Sequence, residues 1–371
     1  MKVYGPDFFR DFHCIGSECR DNCCKMGWDI EIDDATYRYY RSLDCGLCGH
    51  ISDDGSEHYI RQQDGQCPFL DENGLCSVVL KYGEEHISEI CTEHPRFYRW
   101  FGDYKEAGTG LCCEESVRLW LSHAGSIGFC EWQTDEAPDD LDFDPVLLKS
   151  VLGARAELIG LFQNSALTLS QKLKALLIFG LNTQELTESD VAEGFDELAE
   201  VFADTQRVKE LIGELGGGTD VKDRLKACGQ VIGVFERLDY LKSVFPHALD
   251  GIKGRLGEIT DSTEEFGRAF PEVEDQLCAV AVYNIFRYLP ECVYGEQFLP
   301  IAAGCILNVW FLKLWGTALW LDGKYSSDAL ADAVREYSKE IEYSDNTAEL
   351  WECVYTDSRL CADNIRLISE V

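Results

Sequence analysis

Four cysteines fall within the eleven residues CIGSECRDNCC, 14–24, and two of them are adjacent. Thiolates a few residues apart can be aimed by a short loop at one metal ion or cluster, as in ferredoxin-like runs. The set continues with Cys45, Cys48, Cys67, Cys76, Cys91, Cys112, Cys113 and Cys130, so twelve of the eighteen cysteines lie in residues 1–130. Side chains of adjacent residues point in different directions, so Cys23 and Cys24 are expected to serve two purposes. Three chemistries compete. Disulfides suit a secreted chain, but MKVYGPDFFRDFHC is acidic by position 7 and has no apolar run, so a reducing cytoplasm is expected. Structural zinc asks for paired C-x2-C knuckles, and only Cys45 and Cys48 have that spacing. An iron–sulfur cluster accepts irregular spacings and is the favoured reading. The C-x3-C-x2-C motif of radical S-adenosylmethionine chemistry starts at Cys19 and Cys23 but puts Met26 in its third position, so that motif is absent.

The elements that must hold these thiols are short. WDIEID (28–33) alternates like a strand, and DDATYRYYRSL starts with an acidic cap and continues as a helix. CTEHPRFYRWFGDYKEAGTG reads as an ordered loop or hairpin, and CCEESVRLWLSHAG as another short helix. EWQTDEAPDDLDFDP, residues 131–145, is acidic with two prolines and reads as a linker. It separates a cysteine-rich domain, 1–130, from a helical one, 146–371. The latter opens with PVLLKSVLGARAELIGLF, and further helices are read at roughly 187–215, 220–243, 271–289, 298–321, 326–342 and 346–368. The expected class is mainly α: an irregular cysteine-rich domain with little β, then an all-α bundle of about eight helices.

Charge narrows the partners. Sixty-seven acidic against 33 basic residues give a formal net charge of −34, which repels nucleic acid and anionic membranes and favours a basic, lysine-bearing protein. FLPIAAGCILNVWFLKLWGTALWL (298–321) is long enough to span a bilayer. Asn308 and Lys313 within it, the latter costing about 3 kcal/mol near mid-bilayer, favour a core helix, so no membrane association is expected.

FHCIGSECRDNCCKMGWDIEID, CPFLDENGLC, ICTEHPRF and LCCEESVRLWL occur in order over residues 8–121. Together they resemble the flagellin lysine-N-methylase family, whose cysteine-rich part overlaps a broader group of iron- or zinc-chelating proteins. The resemblance implies methyl transfer from S-adenosylmethionine to lysine amines of flagellin, with an iron–sulfur cluster, 4Fe–4S in type. The cysteines matching the family are Cys14, Cys19, Cys23, Cys24, Cys67, Cys76, Cys91 and Cys112, more than one cluster needs. Where the family tends to Cys-Pro-Glu this chain has Cys112-Cys113-Glu114, and the Cys45/Cys48 pair is extra.

Methyl transfer needs a neutral amine, and a free lysine is protonated at neutral pH. His94 and His13 are candidate bases, and Tyr98 and Tyr104 candidate walls for the lysine stem. Of these, His94 and Tyr98 are taken as the catalytic candidates. Arg96 is the candidate partner for the cofactor carboxylate. Each also has an ordinary structural reading: a hydrogen-bonded histidine near the cluster, a surface salt bridge. The glycine run GELGGGTD (213–220) follows a helical pattern and reads as a C-cap and turn rather than a nucleotide loop. Two alternatives stand beside the methyltransferase: a non-catalytic zinc- or iron-chelating protein, and a redox or electron-transfer iron–sulfur protein.

Overall fold

The computed structural model describes all residues except 27–29, 44–45, 54–56, 188 and 217–219. The chain is 63% helical and 9% strand, mainly α as the sequence implies. The N-terminal part holds β1 (Lys2–Pro6), β2 (Ile30–Glu31), α1 (Asp34–Ser42), β3 (Ile51–Asp53), β4 (His58–Ile60), α2 (Ser77–Tyr82), α3 (Glu89–Glu93), β5 (Arg96–Phe101), β6 (Tyr104–Thr109), α4 (Glu114–Ser122) and β7 (Phe129–Gln133). The helical part follows as α5 (Pro145–Phe162), α6 (Leu169–Thr183), α7 (Val191–Ala203), α8 (Thr205–Glu214), α9 (Val221–Phe235) and α10 (Val244–Gly254). It closes with α11 (Leu256–Ala269), α12 (Glu272–Tyr288), α13 (Phe298–Leu321), α14 (Ser327–Ile341), α15 (Asn346–Thr356) and α16 (Ala362–Ile368).

Twelve helices therefore stand, among the described residues, where about eight are expected. The stretch 187–215 is two helices because the Asp204 carboxylate accepts from the main-chain N–H groups of Gln206 and Arg207 and starts a new one. Asp357 interrupts 346–368 in the same way, capping a short turn at Arg359. The hairpin is β5–β6, and the strand reading of WDIEID survives as β2, with Trp28 and Asp29 outside the described residues.

Two sheets form. One has the order β5-β6-β1-β7, with β1 parallel to β6 and antiparallel to β7; the other is β2-β4-β3. Trp132 and Gln133, in the stretch read as linker, pair with Val3 and Lys2 in the first sheet. Alternation along β5 turns Phe97 and Phe101 toward the helical part, where they meet Tyr283, Phe286 and Tyr294. Apolar packing runs without a break from Phe8, Phe101 and Trp120 into the bundle. A second, small apolar cluster of Ile32, Tyr40, Ile51, Ile60, Phe69 and Val78 lies under the cysteine loops.

α13 is the central helix. It packs against α6, α11, α12, α14 and α15, and 89% of its most apolar window is buried inside the protein. Lys313 is accommodated by donating to a main-chain oxygen of Val371 at 2.7 Å. The first sheet is fastened to the bundle by a buried ion pair: Arg155 of α5 meets Glu106 of β6 at 2.6 Å, the side chains 4% and 1% exposed. The Tyr104 hydroxyl also donates to Glu106, and the guanidinium lies over Tyr4 and Phe286.

Removing one member of such a pair strands a charge in the core. Glu106→Ala should lower unfolding free energy by about 3–5 kcal/mol in urea titration. A loss below about 1 kcal/mol would mean that Arg155 finds compensation elsewhere.

Candidate metal centre

Local hydrogen bonding brings distant loops to one place. Cys23 and Cys24 lie on a single 3-10 turn whose Asn22 side chain accepts from the Cys24 N–H at 2.9 Å. The Asn22 amide donates to the Gly74 carbonyl at 3.2 Å, and the Cys67 N–H donates to the Cys24 carbonyl at 2.7 Å. The loop DENGL is folded by Asp71, whose carboxylate accepts from the N–H groups of Asn73 and Leu75. Gly74 takes the left-handed φ of +76° that closes the loop just before Cys76. Cys91 sits on α3, which the Glu89 N–H ties to Asp33, itself the cap of α1.

The result is a group of five thiols, Cys23, Cys24, Cys67, Cys76 and Cys91, that act on one another electrostatically. Burial pushes Cys67 and Cys91 up to about 11, and negative charge on neighbouring cysteines adds to it. Cys23 and Cys24 share a proton: the thiol hydrogen bond from Cys24 brings Cys23 down to about 7 and holds Cys24 far above its ordinary value. Within this adjacent pair Cys23 is exposed while Cys24 packs on the small apolar cluster, so the two side chains have different surroundings, as the sequence implies for neighbours. Cys19 lies at the edge, pushed up to about 11 by burial and by Glu114, to which its thiol donates at 3.7 Å.

The remaining sequence candidates lie apart. Cys14 is exposed and accepts from the Gly16 N–H at 3.4 Å. Cys112 is buried against Tyr343, whereas its neighbour Cys113 faces Cys19 and Cys23. A division of the same kind is found at 112–113. Cys113 was not among the family-matched cysteines, and its place at the start of α4 was the available signal. Cys45 lies outside the described residues, and Cys48 packs on the small apolar cluster. Among the described residues, no three His, Cys, Asp or Glu side chains close on a common point as ligands of a single ion.

α14 backs the centre with charge. Arg335 contacts Asp21 at 3.3 Å and Glu114 at 3.6 Å, its side chain 9% exposed. Lys339, 2% exposed, also pairs with Asp21. Arg20 reaches from the cysteine loop to Glu114 at 2.7 Å and Asp332 at 2.9 Å. Arg335 draws the Cys19 value back down, while Lys339, pulled down to about 8 by burial, is itself raised by Cys19.

Behind Cys112 a second polar group is buried. Arg287 is enclosed by the rings of Phe97, Tyr283, Tyr288 and Tyr343, 4.6–5.8 Å away. It pairs with Glu342 at 3.4 Å, whose Oε2 also accepts from the Tyr283 and Tyr288 hydroxyls at 2.8 and 2.9 Å. His94 adjoins this group, edge-on to Tyr343, and burial pulls its value down to about 4, so it is neutral. Tyr98 lies on the other face of β5, donating to Glu93 at 2.7 Å beneath the Lys105 ammonium. Arg96 donates to the carbonyls of Thr92 and Phe12 and stacks on the Phe12 ring. Gly216 ends α8 with φ +89°, the C-cap read from the glycine run; residues 217–219 are outside the described set.

A family model described as the FliB lysine N-methylase C-terminal domain matches residues 155–356, more than half of the chain. The chain is 29% identical over 142 residues to a lysine-N-methylase of Salmonella typhimurium (strain LT2), covering 35% of each. A second lysine-N-methylase, from Salmonella choleraesuis, matches to the same extent. The match to the flagellar biosynthetic protein FliU of Salmonella muenchen is 31% identical over 142 residues, 35% of this chain and 83% of that one. The chain thus spans about a third of the length of the two lysine-N-methylases. No solved structure matches.

Two expectations follow. Arg335→Ala should release the cysteine loop by about 1–3 kcal/mol, read as about fivefold or more faster hydrogen exchange at residues 19–24; unchanged protection would show that the loop is held without α14. His94 sets a pH dependence. Below its ordinary value of 6.5 the unfolded chain binds a proton that the folded one refuses, so stability falls as pH drops from 6.5 to about 4. Denaturation midpoints of wild type and His94→Leu should diverge in that window and run parallel above it.

Proposed function

Since the chain belongs to the family of the FliB lysine N-methylase C-terminal domain, we propose that it is a protein-lysine N-methyltransferase that uses S-adenosylmethionine and carries a cysteine-ligated iron–sulfur cluster. The single observation that carries the proposal is the convergence of thiols from separate sequence motifs against α14, a helix inside the family-matched segment. The donor set suits a cluster. A single zinc ion draws its four ligands to one point, whereas an iron–sulfur core holds its cysteine sulfurs apart at its corners. An all-thiol donor set drawn from loops far apart in sequence is one that the larger group accepts. Cys23, Cys24, Cys67, Cys76 and Cys91 are its proposed holders, with Cys19 at the edge beside Arg335 and Lys339, whose positive charge favours an anionic centre. When bound, the cluster would supply electron density or an open iron site near the methyl donor.

The acceptor is proposed to be flagellin or another lysine-bearing protein. The relatives' names support this, and so does a net charge of −34, which attracts a lysine-presenting surface. His94, held neutral beside Tyr343, is the proposed base. Arg96 is the proposed partner of the cofactor carboxylate, whereas Tyr98, on the face of β5 away from His94, is proposed only to hold Glu93 in place. Placement of the protein in the cytoplasm accompanies this reading.

Protein purified without oxygen should contain about four irons and four sulfides per chain and absorb near ~400 nm. It should transfer a labelled methyl group from S-adenosylmethionine to flagellin lysines. Cys67→Ser and Cys91→Ser should lose most of the iron and the transfer together, and Cys14→Ser should keep both. Zinc without sulfide would leave the chelating alternative, and a full cluster without transfer the redox one.

A further inference from the structure

The 24-residue apolar helix α13 carries Asn308 at its centre, where an amide is costly unless it has a task. Asn308 is 3% exposed, and its Nδ2 donates to Asn284 Oδ1 at 3.4 Å. The Asn284 amide in turn donates to the Val280 carbonyl at 2.8 Å, which fixes the orientation of both side chains. Asn308 Oδ1 is therefore an acceptor, and it has no partner. Asn308 lines a cavity between α12, α13, α14 and α15 whose water-accessible space is about 20 Å³. Glu342 lines the same cavity. Its side chain is 3% exposed, and while Oε2 is occupied by Tyr283, Tyr288 and Arg287, Oε1 has no partner.

Two buried, unpartnered acceptors, one of them a carboxylate oxygen, call for a donor, and a cation is the best one. Its walls include Tyr288, Tyr337 and Trp351, aromatic side chains of the kind that favour a positive charge and an aliphatic stem. The space suits one group of about the size of a water or an ammonium. Gly304, Thr347 and Trp351 are half-buried and form the mouth, and a Cβ at Gly304 would stand 3.0 Å from Trp351 Nε1. The lining residues all fall within the family-matched segment.

We propose that this cavity binds a primary alkylammonium, held by Glu342 Oε1 and Asn308 Oδ1, and that the natural ligand is the ε-ammonium of a substrate lysine. The identification of that ligand rests on the methyltransferase reading. Tyr343, next to Glu342, leads from the cavity to Cys112 and His94, so an amine bound here is one residue removed from the wall behind the thiol centre.

Calorimetry with a blocked lysine tripeptide and its norleucine counterpart tests the site. The lysine peptide should bind saturably and the norleucine peptide at least about tenfold more weakly. Glu342→Gln removes the charge beside Arg287 and could unsettle the fold, so Gly304→Leu, which places bulk across the mouth, is measured alongside. Each should weaken lysine binding by about tenfold or more, with a wild-type far-ultraviolet spectrum at the assay temperature showing that each variant is folded there. Equal binding of the two peptides, no saturable binding, or indifference to Gly304→Leu would overturn the proposal and leave the cavity to a structural water. Methyl transfer to flagellin, assayed in parallel, separates the two readings. Transfer that persists in Gly304→Leu rejects the cavity alone; lysine binding without any transfer rejects the methyltransferase alone.

Discussion

Hydrogen bonds tie the cysteine loops to one another, and the ionic junction of Asp21 and Glu114 with α14 fastens that assembly to the helical part. Their own apolar cluster is small, with Ile32, Tyr40, Ile51, Ile60, Phe69 and Val78 as its main members. Burial of that size contributes too little to order the loops of residues 14–24 and 67–76 against their conformational entropy. Asp21 and Glu114 meeting Arg335 and Lys339 supply the missing constraint. Because Arg335 and Lys339 are almost wholly buried, separating them from their partners would strand charge, so the junction sets position firmly even if its net stabilisation is modest.

The same junction joins the two kinds of chemistry in the molecule. On its outer side lie Cys67, Cys91 and Cys113, whose values burial holds high, beside Cys23, which its hydrogen bond with Cys24 brings down. On its inner side, past Cys112, lie a caged guanidinium and a carboxylate shared by two tyrosines. The adjacent residues Cys112 and Cys113 form the partition, one facing each way at the start of α4.

How much of this was legible in the sequence depends on how local the cause is. α13 and the β5–β6 hairpin were readable because hydrophobic continuity and alternation are properties of one segment. α10 and α11 were missed because Pro246 and the glycines at 251, 254 and 257 break the pattern that tertiary packing of Phe245, Ile252, Ile259 and Phe266 restores. The density of cysteines pointed to the candidate metal centre, but the seating of Cys24 on the small apolar cluster depends on the hydrogen bonds of Asn22, which no spacing rule encodes. The Arg287–Glu342 group was invisible for a different reason. Its members come from the ends of α12 and α14, and each is ordinary in its own helix.

Asn308 shows how the two levels meet. In the sequence it argued only against a membrane span, as a polar residue that a bilayer would penalise. In the fold the penalty is met on one side by Asn284 and left open on the other, toward the cavity shared with Glu342. A helix whose sole task was to fill the core would carry leucine there, since replacing both amides by apolar groups of similar shape costs little. Keeping two linked asparagines in the centre of the bundle, with one acceptor unpartnered, is explicable when that acceptor has an occupant to bind. The family-matched segment then supplies a binding surface as well as the support on which the thiol centre rests.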